Sequence, residues 1–272
     1  MSLSTHSARL VGLLLWGCDS SPAPDMESQP TKAVDVTPAV DPDRLLTVSE
    51  MREKLGASSQ AVFEKVAGKF VGADLAESGI TDLTALQGQP LRKLNLCANP
   101  ISDLQPIAGM PLESLELRKT KVVDLAPLRR MPLRELYLSE TPVTDIAPLA
   151  GLKLRQLDLS QTQVTSLAPL EGMPLEQLWF EGTPVESLAP LTGMPLITLW
   201  CRESKVRDLS PLEGMPLREL NLCQTEVTNL GPLRGLKLET LWLRDTPGER
   251  SVAPVRDGSC EPRLAGDGGG RS

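Results

Sequence analysis

Apolar and polar positions recur with a period of 21 residues from Leu91 to Lys237, seven times and without an insertion or deletion. The unit is visible as LRELYLSETPVTDIAPLAGLK at residues 133–153 and again as LRQLDLSQTQVTSLAPLEGMP at residues 154–174. A fixed short period predicts a solenoid, in which each unit buries its apolar side chains only against its neighbours. The chain length of 272 residues therefore reflects a number of repeats rather than a number of domains.

The first half of the unit predicts a strand. Positions are numbered here from the leucine that opens each unit, and leucines at positions 1, 4 and 6 alternate with polar residues, as in Leu133, Leu136 and Leu138. This alternation is typical of a short strand with one buried face. Position 9 is a threonine, serine or asparagine, and we expect this column to satisfy backbone groups where the chain turns. Position 11, which is Ile101 and then valine, closes the core beneath that turn.

The second half of the unit predicts one short helical turn. Position 13 is an aspartate, serine or asparagine, and a proline follows three residues later, as in Asp103 and Pro106. The first group are favoured helix N-caps, and proline is tolerated in the first turn of a helix. A glycine recurs at position 19 and favours the end of that turn. We expect an α/β repeat solenoid with a parallel sheet on one side and 3₁₀ turns on the other.

The pattern LxxLxLxx(T/N)xVxDLxPLxGMP resembles the leucine-rich repeat, and its length and DLAPL segment are similar to the bacterial internalin-like, short-repeat class. The resemblance covers Phe70 to about Val255. It implies a right-handed curved solenoid whose parallel sheet lines a concave face, usually one that binds another macromolecule. The threonine column stands where the family more often has asparagine. No binding residue carries over, since ligand contacts differ between family members.

Residues flanking the repeats are expected to protect or tether the array. Residues 44–69 show helical spacing and predict a helical N-terminal cap for the apolar end of the solenoid. Residues 70–258 form nine turns, of which the first and last are degenerate, and the glycine-rich tail at residues 259–272 is predicted to be disordered.

The N-terminus predicts export. Residues 1–17 carry Arg9, a short apolar run and a small residue before Cys18, and Leu15 to Cys18 resembles a bacterial lipobox. Cys18 would then be lipidated, and the proline-rich segment 18–43 would act as a tether of up to roughly 75 Å in polyproline geometry. We expect a protein anchored in the bacterial cell envelope through its lipid; plain secretion and a mis-assigned start codon are the alternatives.

Candidate ligand contacts lie at positions 5 and 7, which alternate with the buried leucines and so face outward on the concave sheet. Every tryptophan and tyrosine beyond the leader falls at position 5, and position 7 holds three arginines and Glu181 among serines and cysteines. Trp and Arg are the residues most enriched in binding hot spots. The predicted ligand-binding residues are Tyr137, Asp158, Trp179, Glu181, Trp200, Arg202, Asn221, Trp242 and Arg244.

Two functions fit this face, and a third interpretation needs no ligand. The residues predict a protein- or peptide-binding module, or alternatively a cell-wall or carbohydrate binder in which the tryptophans stack on sugar rings. The aromatic residues could also serve only to stabilise the sheet by cross-strand stacking. We favour binding, because the core has no use for these side chains.

Composition argues against other classes. The net charge of −7 disfavours nucleic acid as a partner. The single histidine, His6, lies in the leader, so we expect no His-based catalysis, no metal and no cofactor. Glu116 and Asp158, two strands or about 10 Å apart, would be a wide carboxylate pair on an open sheet, so we expect no enzymatic activity. The cysteines are expected to be free thiols, although a bridge from Cys223 to Cys260 is an alternative.

Overall fold

The computed structural model describes residues 47–248. The predicted leader at 1–17, the tether at 18–43, the tail at 259–272 and the end of the last repeat lie outside the described residues. No helix within residues 47–248 is long and apolar enough to cross a bilayer.

A ten-stranded sheet follows the order of the chain from β1 to β10. Strands β2 to β10 are parallel and in register, whereas β1 pairs with β2 in the antiparallel sense. The predicted repeat solenoid with a parallel sheet is confirmed. The strands are β1 Val62–Val66, β2 Lys69–Asp74, β3 Lys93–Asn95, β4 Ser114–Glu116, β5 Glu135–Tyr137, β6 Gln156–Asp158, β7 Gln177–Trp179, β8 Thr198–Trp200, β9 Glu219–Asn221 and β10 Thr240–Trp242.

The core is a stack of apolar layers, one per repeat. In the repeat at 154–174, Leu154, Leu157, Leu159 and Val164 are each at most 1% exposed, and the corresponding residues of neighbouring repeats pack above and below them. Each buried side chain of this size contributes roughly 1.5–3 kcal/mol relative to exposure. The leucines at position 4 of successive repeats are also partners in the sheet, as Leu94 is of Leu115. The stacking of the core leucines therefore agrees with the register of the strands.

One 3₁₀ turn per repeat lies on the side away from the sheet, as predicted. Asp103 caps its turn by accepting a hydrogen bond from the backbone N–H of Gln105 at 2.8 Å, and Asn229 does the same for Gly231 at 2.9 Å. Bonds to serine hydroxyl and backbone groups lower the pKa of Asp208, which caps the turn at Ser210. The turns are Thr84–Leu86, Gln105–Ile107, Ala126–Leu128, Ala147–Leu149, Ala168–Leu170, Ala189–Leu191, Ser210–Leu212 and Gly231–Leu233.

Three residues after each of strands β2 to β10, the backbone adopts a left-handed conformation. Position 8 has a positive φ in successive repeats, for example 57° at Gln161 and 64° at Gly182. L-amino acids other than Asn, Asp and Gly adopt this conformation at a cost of about 1 kcal/mol or more. This conformation turns the position-9 residue toward the core. The regular packing of the repeats offsets its cost.

The position-9 column closes the turn within the repeat from Thr120 to Thr225, whereas Asn99 and Thr246 at its two ends bond to the preceding repeat. Thr162 Oγ1 donates to the carbonyl oxygen of Leu159 in its own repeat at 2.6 Å. Asn99 differs because its side chain donates to the carbonyl of Leu75 at 2.7 Å and accepts from the N–H of Ile80 at 2.9 Å, both in the preceding turn. Asparagine has donors and an acceptor to span two repeats, whereas a threonine hydroxyl donates only one bond.

The N-terminal cap begins with a short helix. Helix α1, Val48–Leu55, starts with a reciprocal capping box in which Thr47 Oγ1 accepts from the N–H of Glu50 and the Glu50 carboxylate accepts from the N–H of Thr47. Gly56 ends it in the left-handed conformation at φ 59°. Met51 and Leu55 are buried against the first repeat.

The prediction that residues 44–69 form a helical cap is wrong for its second half. Residues after Gly56 form a hairpin instead, with a turn at Ala67 and Gly68, both at positive φ, which matches the twist of the paired strands. Phe63 and Phe70 contact across the hairpin with ring centroids 5.3 Å apart. The apolar residues of this short segment fit a period of two as well as a helical period, and the Ala-Gly turn favours the former.

The different roles of position 9 give a stability prediction. Asn99→Ala removes four hydrogen bonds and leaves buried backbone groups of two repeats without partners, so we expect a loss of about 3 kcal/mol or more in the free energy of unfolding. Thr162→Val removes one bond to a carbonyl that also accepts from the N–H of residue 162, so we expect a loss of about 1 kcal/mol. Urea denaturation would compare the two variants, and equal losses would contradict the bridging role of Asn99.

Candidate functional site

Position 5 forms a continuous row across the concave sheet. Register pairs Tyr137 with Asp158, Asp158 with Trp179, and Trp179 with Trp200 on successive strands. Asn221 and Trp242 continue the row on β9 and β10. The structure therefore brings together all the predicted position-5 residues, and the aromatic ones among them are half-buried by their neighbours.

The indole contact on this face joins Trp200 to Trp242. Their ring centroids are 5.8 Å apart and the rings are inclined at 73°, an edge-to-face arrangement that spans β9. The short side chain of Asn221 lies between them in the row. The indole N–H of Trp200 is buried and has no hydrogen-bond acceptor among the described residues. Some of the aromatic surface is thus used for cross-strand packing, as expected from the interpretation that needs no ligand.

Asn221 has a structural role. It is 7% exposed, and its Oδ1 accepts a hydrogen bond from the N–H of Cys223 at 3.0 Å. Asn95 makes the same bond to Cys97, and Asp158 to Ser160, at 2.9 Å each. A short amide or carboxylate at position 5 thus caps the end of its own strand. We remove Asn221 from the residues available to a ligand, while Asp158 uses only one of its two oxygens in this way.

Glu181 is a half-buried carboxylate that makes no side-chain hydrogen bond or ion pair within the described residues. Its pKa is raised to about 7, chiefly by burial; Arg202 opposes the shift, and the nearby acids Asp158 and Glu203 contribute to it. Its backbone N–H donates to Ser160 Oγ at 3.3 Å. At neutral pH this group is therefore poised between its protonated and ionised forms.

The predicted arginines form the end of the face nearest β10. Arg202 donates from Nε to Gln224 Oε1 at 3.1 Å and from Nη2 to Glu203 Oε1 at 2.6 Å. Arg244 is mostly exposed, with Nε 3.8 Å from Asp245 Oδ2. The four side chains Arg202, Gln224, Arg244 and Asp245 line a small open cleft of about 160 Å³.

A second charged group on this face was missed by sequence reasoning. Arg118 binds Glu116 at 2.5 Å, and its guanidinium lies 5.6 Å from the ring centroid of Tyr137. The Tyr137 hydroxyl donates to Gln156 Oε1 at 2.6 Å, and burial raises the pKa of that hydroxyl. The opposite charges at positions 5 and 7 of one repeat were the available signal. Because Glu116 is paired with Arg118, it is not available as one half of a catalytic carboxylate pair with Asp158.

The cysteines differ from expectation in two respects. Cys97 and Cys223 occupy position 7 but are buried, at 7% and 0% exposed, because the strand has ended and the chain is turning toward the core. Cys97 and Cys201 form no disulfide bond, and burial raises the pKa of the Cys201 thiol to about 12. Cys223 is disulfide-bonded, so the expectation of a free thiol is wrong there. No group of three or more His, Cys, Asp or Glu within residues 47–248 could hold a metal ion.

Comparison with known proteins gives structural relatives only. No family model and no curated protein sequence matches the chain. An internalin, InlF, of Listeria monocytogenes is 26% identical with a TM-score of 0.53, over 63% of this chain and 60% of that one. Internalin C2 of the same species is 30% identical with a TM-score of 0.49, over 64% and 70% of the two chains. A leucine-rich-repeat protein of Leptospira interrogans is 23% identical with a TM-score of 0.51, over 64% and 48%.

The fold and the likeness to InlF define the class of fold. The in-register parallel sheet and the 3₁₀ turn in each repeat show that this chain has the leucine-rich-repeat fold. The chain spans about 60% of the length of InlF and about half of the Leptospira protein.

The pKa of Glu181 predicts a pH-dependent stability. The unfolded chain releases this proton near the ordinary value of 4.5, whereas the folded chain holds it to about pH 7, so this group makes stability fall as pH rises between those values. Allowing for solvent screening, Glu181→Gln should raise the free energy of unfolding by about 1–2 kcal/mol at pH 8 and by little at pH 4.5. Urea denaturation at both pH values would measure this.

A matched control is Glu219→Gln, which removes an acid from the same face. We expect it to change the free energy of unfolding by less than about 0.5 kcal/mol at either pH. An effect of Glu181→Gln that is the same at pH 4.5 and pH 8 would contradict the assigned ionisation of Glu181.

Proposed function

We propose that this protein is a membrane-tethered binding module that recognises a protein or peptide through the C-terminal half of its concave face. The observation that carries the proposal is the concentration of Trp179, Trp200 and Trp242 on one face of three strands, β7, β8 and β10. The core and the caps of the 3₁₀ turns are formed by other positions, and the strand ends are capped from position 5 only where it is an asparagine or aspartate. Apart from the Trp200–Trp242 contact, the fold therefore does not depend on these indoles.

The surroundings of the indoles favour a polypeptide ligand. Half-buried aromatic side chains flanked by Arg202 and Arg244 have the composition of a protein-interaction hot spot. Sugar rings stack on exposed, flat aromatic faces, but Trp200 and Trp242 meet edge to face at 73° and do not form a flat platform. We therefore keep glycan binding as the alternative that the experiment must exclude.

Tethering is the second part of the proposal. It rests on the sequence before the repeats, where the lipobox-like segment ends at Cys18 and a proline-rich stretch follows. A lipid on Cys18 and a stiff spacer would hold the concave face clear of the membrane surface. The location that we propose is the bacterial cell envelope, with secretion as the alternative.

Removal of the indoles should abolish capture of the partner. We expect Trp200→Ala/Trp242→Ala to lose at least about tenfold in capture from a bacterial envelope extract, because these side chains would supply most of the apolar contact. The extract bound to the immobilised protein would be read for both proteins and glycans. Val123→Ala is the control, since Val123 is 55% exposed and lies outside the strands of the sheet.

The two ligand classes give different results. Loss of a protein from the captured material in the double variant, but not in Val123→Ala, supports the proposal, whereas loss of a glycan alone supports the alternative. If the double variant captures as much as the unmodified protein, the concave-face site is wrong.

Lipidation is tested separately. Cys18→Ala should move the protein from the membrane pellet to the soluble fraction of a bacterial host that processes lipoproteins, because the acyl chains would supply the anchor. Fractionation by ultracentrifugation and mass measurement of the N-terminal peptide would detect the change. Unchanged membrane association would contradict the anchor at Cys18 and leave the binding face unaffected.

A further inference from the structure

Asp158, Trp179 and Glu181 form a group that the fold does not use fully. Asp158 is in register with Trp179 on the adjacent strand, about 4.8 Å away in the ladder direction. Glu181 follows Trp179 by two residues, just beyond the end of β7, and lies close enough to Asp158 for the charge of that acid to raise its pKa. Asp158 Oδ1 accepts the N–H of Ser160, which leaves Oδ2 without a hydrogen bond among the described residues. The two carboxylates and the indole of Trp179 are therefore neighbours at the ends of β6 and β7.

The charge of this group is not balanced by its neighbours. Three carboxylates, those of Asp158, Glu181 and Glu203, stand against the guanidinium of Arg202. The charge of Arg118 also acts on Asp158, but Arg118 is already paired with Glu116, so the net charge stays −2 when all are ionised. Arg202 already donates to Gln224 and Glu203. Half-buried carboxylates without a paired cation are costly, since burial penalises the charged form.

The chain supplies its own cation to a similar group nearby. Arg118 lies with its guanidinium over Tyr137 and binds the carboxylate of Glu116, so an acid and an aromatic ring on this face already hold a guanidinium between them. Asp158 and Trp179 occupy the same positions two repeats further on, with tryptophan in place of tyrosine; Ser160 stands in place of the arginine, and Glu181 adds a second acid in the next repeat. Tryptophan is the better partner for a cation.

We propose that Asp158, Trp179 and Glu181 form a subsite for one lysine or arginine side chain of the polypeptide partner. This inference rests on the proposed function and specifies the chemistry of the ligand. The cationic group would lie over the indole and donate hydrogen bonds to the two carboxylates. Arg118 contacts Tyr137 and Glu116 in this way. The apolar remainder of the partner would contact Trp200 and Trp242.

Four peptide libraries test the preference directly. Each consists of random nine-residue peptides whose central residue is fixed as Arg, Lys, Gln or Glu, and retention on the immobilised full chain is measured at pH 7.5. We expect the Arg and Lys libraries to be retained about tenfold more than the Gln library, which corresponds to about 1.4 kcal/mol. Asp158→Asn/Glu181→Gln should reduce this ratio to about one.

A second pair of acids on the same sheet serves as the control for a general loss of negative charge. Glu135→Gln/Glu219→Gln removes the same number of charges from half-buried positions on β5 and β9, and it should keep the preference for basic peptides. Equal loss of preference in both double variants, or no preference in the unmodified protein, would overturn the subsite.

The outcomes separate the subsite from the proposed function. If all four libraries bind equally and Trp200→Ala/Trp242→Ala abolishes their binding, the subsite is wrong and the binding face stands. If no library is retained above the level of the tryptophan double variant, peptide binding by this face is contradicted.

A small-molecule probe tests the subsite without a peptide. N-acetyl-arginine amide at about 10 mM should lower the pKa of Glu181, followed through its carboxyl carbon by NMR, because a cation in the subsite favours the ionised acid. The Asp158→Asn variant should reduce that response. An unchanged Glu181 titration in the presence of the probe would overturn the proposal, whatever the libraries show.

Discussion

Each repeat of this chain can bury its apolar side chains only against the repeats before and after it, and this constraint determines most of the structure. Leu94, Leu115 and Leu136 can stack only if their strands are in register, and the register holds along the parallel sheet because the repeat has no insertions between Leu91 and Lys237. Stacked leucines on one face leave positions 3 and 5 of each strand on the other. The surface that is free to bind is therefore a consequence of the way the core is filled.

The same constraint explains why the repeated part could be predicted and the cap could not. Seven copies of one unit report the same local geometry, so the strand, the 3₁₀ turn and its cap at Asp103 follow from position-specific preferences. The cap occurs once, and its apolar residues are too few to fix a period. Gly56 and the Ala67-Gly68 pair were the local signals for a helix followed by a hairpin, and helical spacing obscured them.

The candidate site was predicted at the level of which residues share a face, and no further. Register alone implies that Tyr137, Asp158, Trp179 and Trp200 form a row, and they do. Side-chain conformation does not follow from register: Trp200 contacts Trp242 two strands away, and Asn221 turns its amide to the backbone of Cys223. Such contacts depend on side-chain size and the spacing between strands, which no single position of the repeat encodes.

The two halves of the concave face differ in how completely the chain satisfies its own side chains. Toward the N-terminus, Glu116, Arg118 and Tyr137 neutralise and cover one another, so a ligand there would have to displace an ion pair already made. Just after β7 the fold places Glu181 in a half-buried position where burial disfavours its charge, and no cation among residues 47–248 binds it directly. A fold that required only stability would gain from an uncharged residue at this position. Retaining a carboxylate there is an energetic cost to the free protein that a cationic partner would offset on binding, and this is the physical reason for assigning recognition to the C-terminal half of the face.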